Sequence, residues 1–257
     1  MFSPFGRQCL EEFRTATAAA QTGASVNSAQ LESSKLGALI PPTLVVLVVM
    51  GVSLVTAASL EGESRQQFLG ESGPIETASA LCYVAITTML CIFSFWRLDR
   101  RFALQTAALS ALLAARELDF HIRFTTEGVF RTSFYFRDRA SISEKIIVSI
   151  IMLAIIVLIV DYLRRFAGRY LSGALSLTPW VITILAGFVL IVMGKAMDSS
   201  TWAFEAVGVE QQLSISVINM LEESLELTGA VALLCAAFMY IRATLRGRSP
   251  RERPLSS

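Results

Sequence analysis

The sequence predicts an all-α membrane protein, a bundle of about six transmembrane helices with both termini in the cytoplasm. Three observations support this fold class. Hydrophobic residues make up 54% of the 257 residues and charged residues only 17%, more apolar character than a soluble domain of this size needs. Long apolar runs recur along the chain, and arginine-rich loops separate them at alternate positions. With a net charge of +1, no nucleic-acid partner is expected.

The N-terminal segment, residues 1–35, precedes the first apolar run. Phe5, Cys9, Leu10 and Phe13 fall on one side at helical spacing, which predicts a short amphipathic helix on the cytoplasmic surface followed by a flexible tether. The segment lacks the basic start and short apolar core of a cleaved signal peptide. The first hydrophobic segment is therefore expected to be retained.

Six runs are long enough to cross about 30 Å of hydrocarbon and define a transmembrane domain over residues 36–242. They are residues 36–60, 75–96, 102–120, 145–163, 177–197 and 215–242. The third differs from the others because its last turn carries Arg116, Glu117 and Asp119. The remaining residues, 243–257, are predicted to form a basic, disordered cytoplasmic tail.

Arginines set the orientation of the bundle. They cluster after the second, fourth and sixth runs, and the positive-inside rule places such loops in the cytoplasm. The loop between the third and fourth runs lies outside and combines four aromatic residues with Arg131 and Arg137. This loop is expected to anchor its helices at the lipid headgroup level, and its arginines are candidates for headgroup contact.

The other ionisable groups buried in the spans converge on the outer leaflet. They are Glu76, Arg116, Glu117, Asp119, His121, Lys195, Asp198, Glu222, Glu223 and Glu226. Ionised carboxylates within the hydrocarbon layer are costly unless paired, so they usually face the bundle interior and mark function. Helical spacing places Asn219, Glu222 and Glu226 on one face, and Glu117 and His121 on another.

Three physical states would make this cluster tolerable. The carboxylates could pair with Arg116 and Lys195 in a structural ion network, they could carry protons, or they could bind a divalent cation. A pocket for a polar ligand is a further alternative. Arg116 and Lys195 are too few to neutralise all the carboxylates, and the excess negative charge favours the states in which the cluster is protonated or binds a metal. The sequence contains no GxSxG, Walker-type, HExxH or dinucleotide-binding motif, and its four cysteines have no metal-site spacing.

Two strings, "GESGPIETASAL" and "RELDFHIRFT", followed by a glutamate-rich last helix, carry a resemblance to known proteins. They resemble a group of uncharacterised bacterial multi-span inner-membrane proteins that share the Arg-Glu-x-Asp-Phe-His string. The resemblance covers about half the chain. It implies an inner-membrane location and supplies no function.

The chain is also remotely similar to the alkaline ceramidases and the wider CREST superfamily of membrane hydrolases. Phe120 and His121 match a Phe-His pair of that family, and Glu222 and Glu226 stand at the spacing of its HxxxH pair. The family's zinc site uses three histidines, whereas this chain has one, so the resemblance implies a harder divalent cation. The family also has seven spans.

Two functions are consistent with these residues. The first is a membrane component that binds a lipid or ligand, or assembles with another membrane protein, through its acidic outer site. The second is a metal-dependent lipid hydrolase or transferase, with His121, Glu222 and Glu226 as ligands and Glu76 or Glu117 as a further ligand or general base. A transporter is disfavoured because Asp161 is the only acidic residue in the cytoplasmic half of the spans.

Overall fold

A computed structural model describes residues 37–70, 73–95, 99–118, 120, 141–207 and 212–246, with backbone alone at 66, 198–207 and 212–216. Of these residues 94% are helical and none forms a strand, which confirms the all-α class. The chain divides into two compact units, Met1–Pro41 and Pro42–Ser257. The structure describes only residues 37–41 of the first unit, and the account below concerns the second. The predicted N-terminal helix, its tether and tail residues 247–257 lie outside the described residues.

Seven helices make up the described part of the chain. They are α1 (Gly37–Ser59), α2 (Gly62–Leu69), α3 (Pro74–Phe95), α4 (Arg100–Glu117), α5 (Ile142–Leu175), α6 (Pro179–Val207) and α7 (Gln212–Arg246). The short helix α2 occupies a segment that the sequence had indicated only as a loop. Helix α5 extends well beyond its predicted end at residue 163, and α7 continues to Arg246 rather than ending at Arg242.

Local sequence explains where several helices begin. Helices α3 and α6 start at Pro74 and Pro179. Proline suits the first helical turn because the backbone N–H groups of that turn have no hydrogen-bond acceptor within the helix, so the N–H that proline lacks is not missed. The side chain of Asp99 accepts a hydrogen bond from the backbone N–H of Phe102 at the start of α4. Ser141 does the same for the backbone N–H of Glu144 at the start of α5.

Five stretches of the described chain are long and apolar enough to cross a membrane. They are Gly37–Ser59, Gly62–Phe95, Ile142–Leu175, Pro179–Met197 and Val217–Arg246. The second stretch contains both α2 and α3. Helix α4, the predicted third span, falls outside this set because charged residues stand at both of its ends. The chain is therefore a helical membrane protein, and a sixth span at α4 stays a prediction.

The helices of the second unit pack in a defined order. Helix α4 packs on α3, α3 packs on α7, and α7 packs on α6, while α5 makes smaller contacts with both α4 and α6. Helix α5 buries only Val148, Tyr162, Phe166 and Gly173, and most of its other apolar side chains are exposed. In a membrane, those side chains would face lipid or another protein.

The two ends of this bundle differ in their side chains. The ion pairs of α4, α6 and α7 gather at one end, which we call the acidic end. The opposite end, called the arginine end, is built around aromatic side chains from four helices. They are Phe102, Tyr162, Phe166, Tyr170, Trp180 and Tyr240.

Arg169 of α5 lies against three of these rings. Its guanidinium carbon is 4.8 Å from the centroid of Phe102, 5.6 Å from that of Trp180 and 5.5 Å from that of Tyr240. These distances are within the range of cation–π interactions. The same guanidinium donates through Nη1 to Oδ2 of Asp99 at 2.9 Å. Arg169 therefore connects α5 with α4, α6 and α7.

Glycines allow α6 and α7 to approach each other closely. A Cβ atom added to Gly229 would lie 2.6 Å from Cγ1 of Ile191 and 2.9 Å from the carbonyl oxygen of Gly187. One added to Gly194 would lie 3.1 Å from Cγ of Glu226. Small residues at a helix interface permit such backbone approach in membrane proteins. We call Gly187, Gly194 and Gly229 the glycine seam.

Candidate functional site

Seven ionisable side chains from four helices meet at the acidic end. We call Glu76, Arg116, Glu117, Lys195, Glu222, Glu223 and Glu226 the acidic-end cluster. Their positions follow from the alternating directions of the helices, because α3 and α7 begin at this end whereas α4 ends there and Lys195 follows the apolar part of α6.

Lys195 is at the centre of the cluster. Its Nζ lies 2.9 Å from Oε1 of Glu222 and 2.8 Å from Oε1 of Glu226. Glu222 and Glu226 stand four residues apart on α7, so their carboxylates project from one face and a single ammonium from α6 contacts both. The glutamate side chains are only 11% and 8% exposed, whereas that of Lys195 is 41% exposed.

Arg116 approaches the same carboxylate of Glu226 from α4. Its Nη2 lies 3.6 Å from Oε1 of Glu226, and its Nη1 lies 3.9 Å from Oε1 of the neighbouring Glu117. Both separations are longer than a hydrogen bond, so Arg116 contributes charge without the paired hydrogen bonds of a guanidinium–carboxylate fork. Through Glu226, the cluster joins α4, α6 and α7.

Glu76 and Glu223 extend the negative charge of the cluster. Glu76 of α3 interacts electrostatically with Glu117 and Glu223, and Lys195 attracts Glu223. Glu76 and Glu223 are partly buried, and the side chain of Glu117 is only 8% exposed. Five carboxylates and two cations give the cluster a charge of −3 when every group is ionised. The surplus of carboxylates could attract a cationic group.

Two residues that the sequence analysis did not select contribute to the cluster. Tyr83 is 2% exposed and interacts electrostatically with Glu117 and Glu226. Its position seven residues after Glu76, on the same face of α3, was a usable signal. Gly194 brings α6 close to Glu226, and a side chain there would also come within 3.2 Å of the carbonyl oxygen of Glu222. No pattern in the sequence singled out Gly194.

The structure does not place every predicted site residue. Asp119, His121, Arg131 and Arg137 lie outside the described residues, and Asp198 is described by its backbone alone. Asn219, predicted to share a face with Glu222 and Glu226, is exposed whereas both glutamates are buried. Asn219 therefore differs from both glutamates in burial, although helical spacing keeps the three residues on one face of α7.

The described side chains do not fit a divalent cation. Within the described ranges, no three His, Cys, Asp or Glu residues are grouped so as to hold a metal ion. The two predicted α7 ligands, Glu222 and Glu226, share the ammonium of Lys195. A divalent cation placed between these carboxylates would meet that positive charge at short range.

No protein-family model matches the chain, and it shows no significant similarity to a curated protein or a solved structure. The resemblances proposed from the "RELDFHIRFT" string therefore stay predictions. Composition and helix length identify an integral membrane protein. The inference about its role rests on the acidic-end cluster.

Proposed function

We propose that the acidic-end cluster is a binding or assembly site of an integral membrane component rather than a catalytic centre. The supporting observation is the contact of one ammonium, that of Lys195, with the two most buried carboxylates of α7. An ion pair of this kind stabilises the meeting of α6 and α7 and fixes the position of both carboxylates. The remaining carboxylates, Glu76, Glu117 and Glu223, supply the surplus negative charge when they are ionised.

The proposed setting is a bacterial inner membrane with the acidic end toward the outer leaflet and both termini in the cytoplasm. The positive-inside rule supports this orientation because the arginine clusters that follow the second, fourth and sixth apolar runs adjoin the opposite end. In this orientation α4 also crosses the membrane, which makes six spans in total. The charged residues at its two ends then lie near the two membrane–water interfaces. The acidic-end cluster then accepts a cationic group from a lipid or from a neighbouring membrane protein.

A substitution at Arg116 tests the binding role. The Arg116→Ala protein and the parent are cross-linked in native membranes and purified, and the material that remains bound is compared. Arg116 is half-exposed and makes no close hydrogen bond in the cluster, so the variant is expected to fold. Because the substitution takes the charge of the fully ionised cluster from −3 to −4, the variant is expected to retain more of a cationic partner or lipid than the parent does. Asn219→Ala on α7 is the matched control because Asn219 is exposed. An Arg116→Ala protein that folds and assembles like the parent would contradict the proposal.

The alternative function is a metal-dependent lipid hydrolase or transferase at the outer leaflet, favoured by the surplus of carboxylates. It requires Lys195 to leave Glu222 and Glu226 and requires His121 to join them. Elemental mass spectrometry of the detergent-purified protein, beside a Glu222→Ala/Glu226→Ala variant, distinguishes the two functions. Near-stoichiometric metal that is lost in a folded double variant would replace the binding proposal with the hydrolase.

A further inference from the structure

The arginine end carries a surplus of positive charge that has no part in the function proposed for the acidic-end cluster. Seven described arginines lie there: Arg100, Arg101, Arg164, Arg165, Arg169, Arg242 and Arg246. The described acidic residues at this end are Asp99 and Asp161. Among the described residues the difference is +5.

Two of the seven arginines are neutralised within the bundle. Nε of Arg165 lies 2.7 Å and 2.8 Å from the two carboxylate oxygens of Asp161, which also accepts a hydrogen bond from Gln105 at 2.7 Å. Arg169 is paired with Asp99 and covered by aromatic rings. Arg169 therefore serves the packing of α5 against its neighbours, whereas Arg165 forms an exposed ion pair within α5.

The other five arginines have a different environment. Each is exposed, and none forms an ion pair with a carboxylate in the part of the chain that the structure describes. They come from α4, α5 and α7. The positive-inside rule requires only that positive charge lie on the cytoplasmic side, so it explains the number of these five arginines. It does not explain why Arg165 and Arg169 are paired with carboxylates.

An apolar surface of α5 adjoins one of these arginines, Arg164. Leu163, Val160 and Val157 of α5 precede or adjoin Arg164 and are 53%, 47% and 59% exposed. A phospholipid has the matching order of groups, since its acyl chains can cover α5 while its phosphate meets the arginines. Arginine recognises phosphate through paired hydrogen bonds as well as through charge.

We infer that the arginine end binds anionic phospholipids of the bilayer, with the phosphate at the exposed arginines and the acyl chains along α5. Charge complementarity selects the anionic headgroup, because a zwitterionic headgroup carries its own cation and neutralises less of the +5 surplus. This site is separate from the acidic-end cluster and does not depend on the function proposed for that cluster.

Lipid binding to the full chain in detergent micelles tests the inference. Native mass spectrometry measures the binding of phosphatidylglycerol and of phosphatidylcholine with the same acyl chains to the parent and to Arg164→Gln and Arg242→Gln variants. The parent is expected to prefer phosphatidylglycerol, and each substitution is expected to weaken its binding about fivefold. An Asp161→Asn/Arg165→Gln variant is the matched control, because it removes a paired arginine without changing the net charge.

Lysine variants separate lipid recognition from membrane insertion. Arg164→Lys and Arg242→Lys keep the positive charge that sets topology but lose the planar fork of the guanidinium. They are expected to insert like the parent and to bind phosphatidylglycerol more weakly than the parent. Equal binding of the two lipids, unchanged binding in the glutamine variants, or equally tight binding of free glycerol phosphate would overturn the inference.

Discussion

The two ends of the bundle hold their charged side chains by different means. At the acidic end, Glu222 and Glu226 depend on the ammonium of Lys195. At the arginine end, Arg169 is held by Asp99 and by the faces of three aromatic rings. In the first arrangement one cation lies within 3 Å of both carboxylates, with Arg116 farther away at 3.6 Å from Glu226, whereas the second distributes its contacts over several groups. Removing one group should therefore affect the acidic end more strongly.

The largest expected effect is that of Lys195→Met. The substitution leaves two buried carboxylates without their closest cation, and breaking a buried pair from one side costs about 3 to 5 kcal/mol. We expect about 3 kcal/mol, the lower end of that range, because the lysine side chain is 41% exposed. Thermal unfolding in detergent, followed by circular dichroism, measures the loss.

A triple variant checks the origin of that loss. Adding Glu222→Gln and Glu226→Gln to Lys195→Met removes the uncompensated charges and should restore much of the stability. If the triple variant is less stable than Lys195→Met, the loss does not come from the unpaired carboxylates. The contrast between the two ends would then have another cause.

The next effect concerns the glycine seam, which brings the acidic-end charges together. Gly229→Ala places a Cβ atom 2.6 Å from Cγ1 of Ile191, and overpacking of this kind costs about 1 to 3 kcal/mol. The same unfolding measurement tests it. Gly168→Ala in α5 is the control, because the added Cβ meets nothing within 4 Å and alanine favours the helix. Equal destabilisation by both substitutions would show that the seam is not specifically close-packed.

A smaller effect is expected from Arg169→Gln at the arginine end. Cation–π interactions at exposed sites contribute about 0.5 to 1 kcal/mol, and the aromatic rings remain packed when the guanidinium is removed. A double-mutant cycle with Phe102→Leu measures the coupling between Arg169 and its nearest ring. A loss as large as that of Lys195→Met would abolish the proposed difference between the two ends.

The smallest effect is expected from Arg165→Gln. Arg165 and Asp161 form an i,i+4 pair on α5 whose side chains are 47% and 38% exposed, and an exposed pair of this kind contributes little to stability. Chemical unfolding with and without 1 M salt measures it, since salt screens the pair in the parent. A salt-independent loss would indicate a packing role instead.

The helices could be predicted because uninterrupted apolar runs leave few alternatives to a helix in a membrane. Residues 36–60 and 75–96 correspond closely to α1 and α3. The end of α5 was placed too early because Arg164, Arg165 and Arg169 close the apolar run, whereas the helix itself continues to Leu175. Hydropathy finds the apolar length of a helix, and the helix extends beyond it.

The candidate site was only partly accessible to sequence reasoning. Glu222 and Glu226 could be grouped because four residues separate them on one helix, and Lys195 could be placed at the same depth. Their contact with one ammonium depends on the approach of α6 to α7, which spacing within a helix does not encode. The aromatic cluster at the arginine end was missed because its members are far apart along the chain and meet only after packing.

The pairing of Lys195 with glutamates on the next helix has a consequence for biogenesis. A nascent chain that has released α6 but not α7 presents an ammonium that hydrocarbon disfavours. Once α7 follows, its two carboxylates compensate that charge, and the glycine seam lets the two segments associate as a helical hairpin. We therefore expect α6 to need α7 for efficient lateral transfer from the translocon into lipid. The order of α6 and α7 along the chain therefore assists the insertion of Lys195 into the membrane during synthesis.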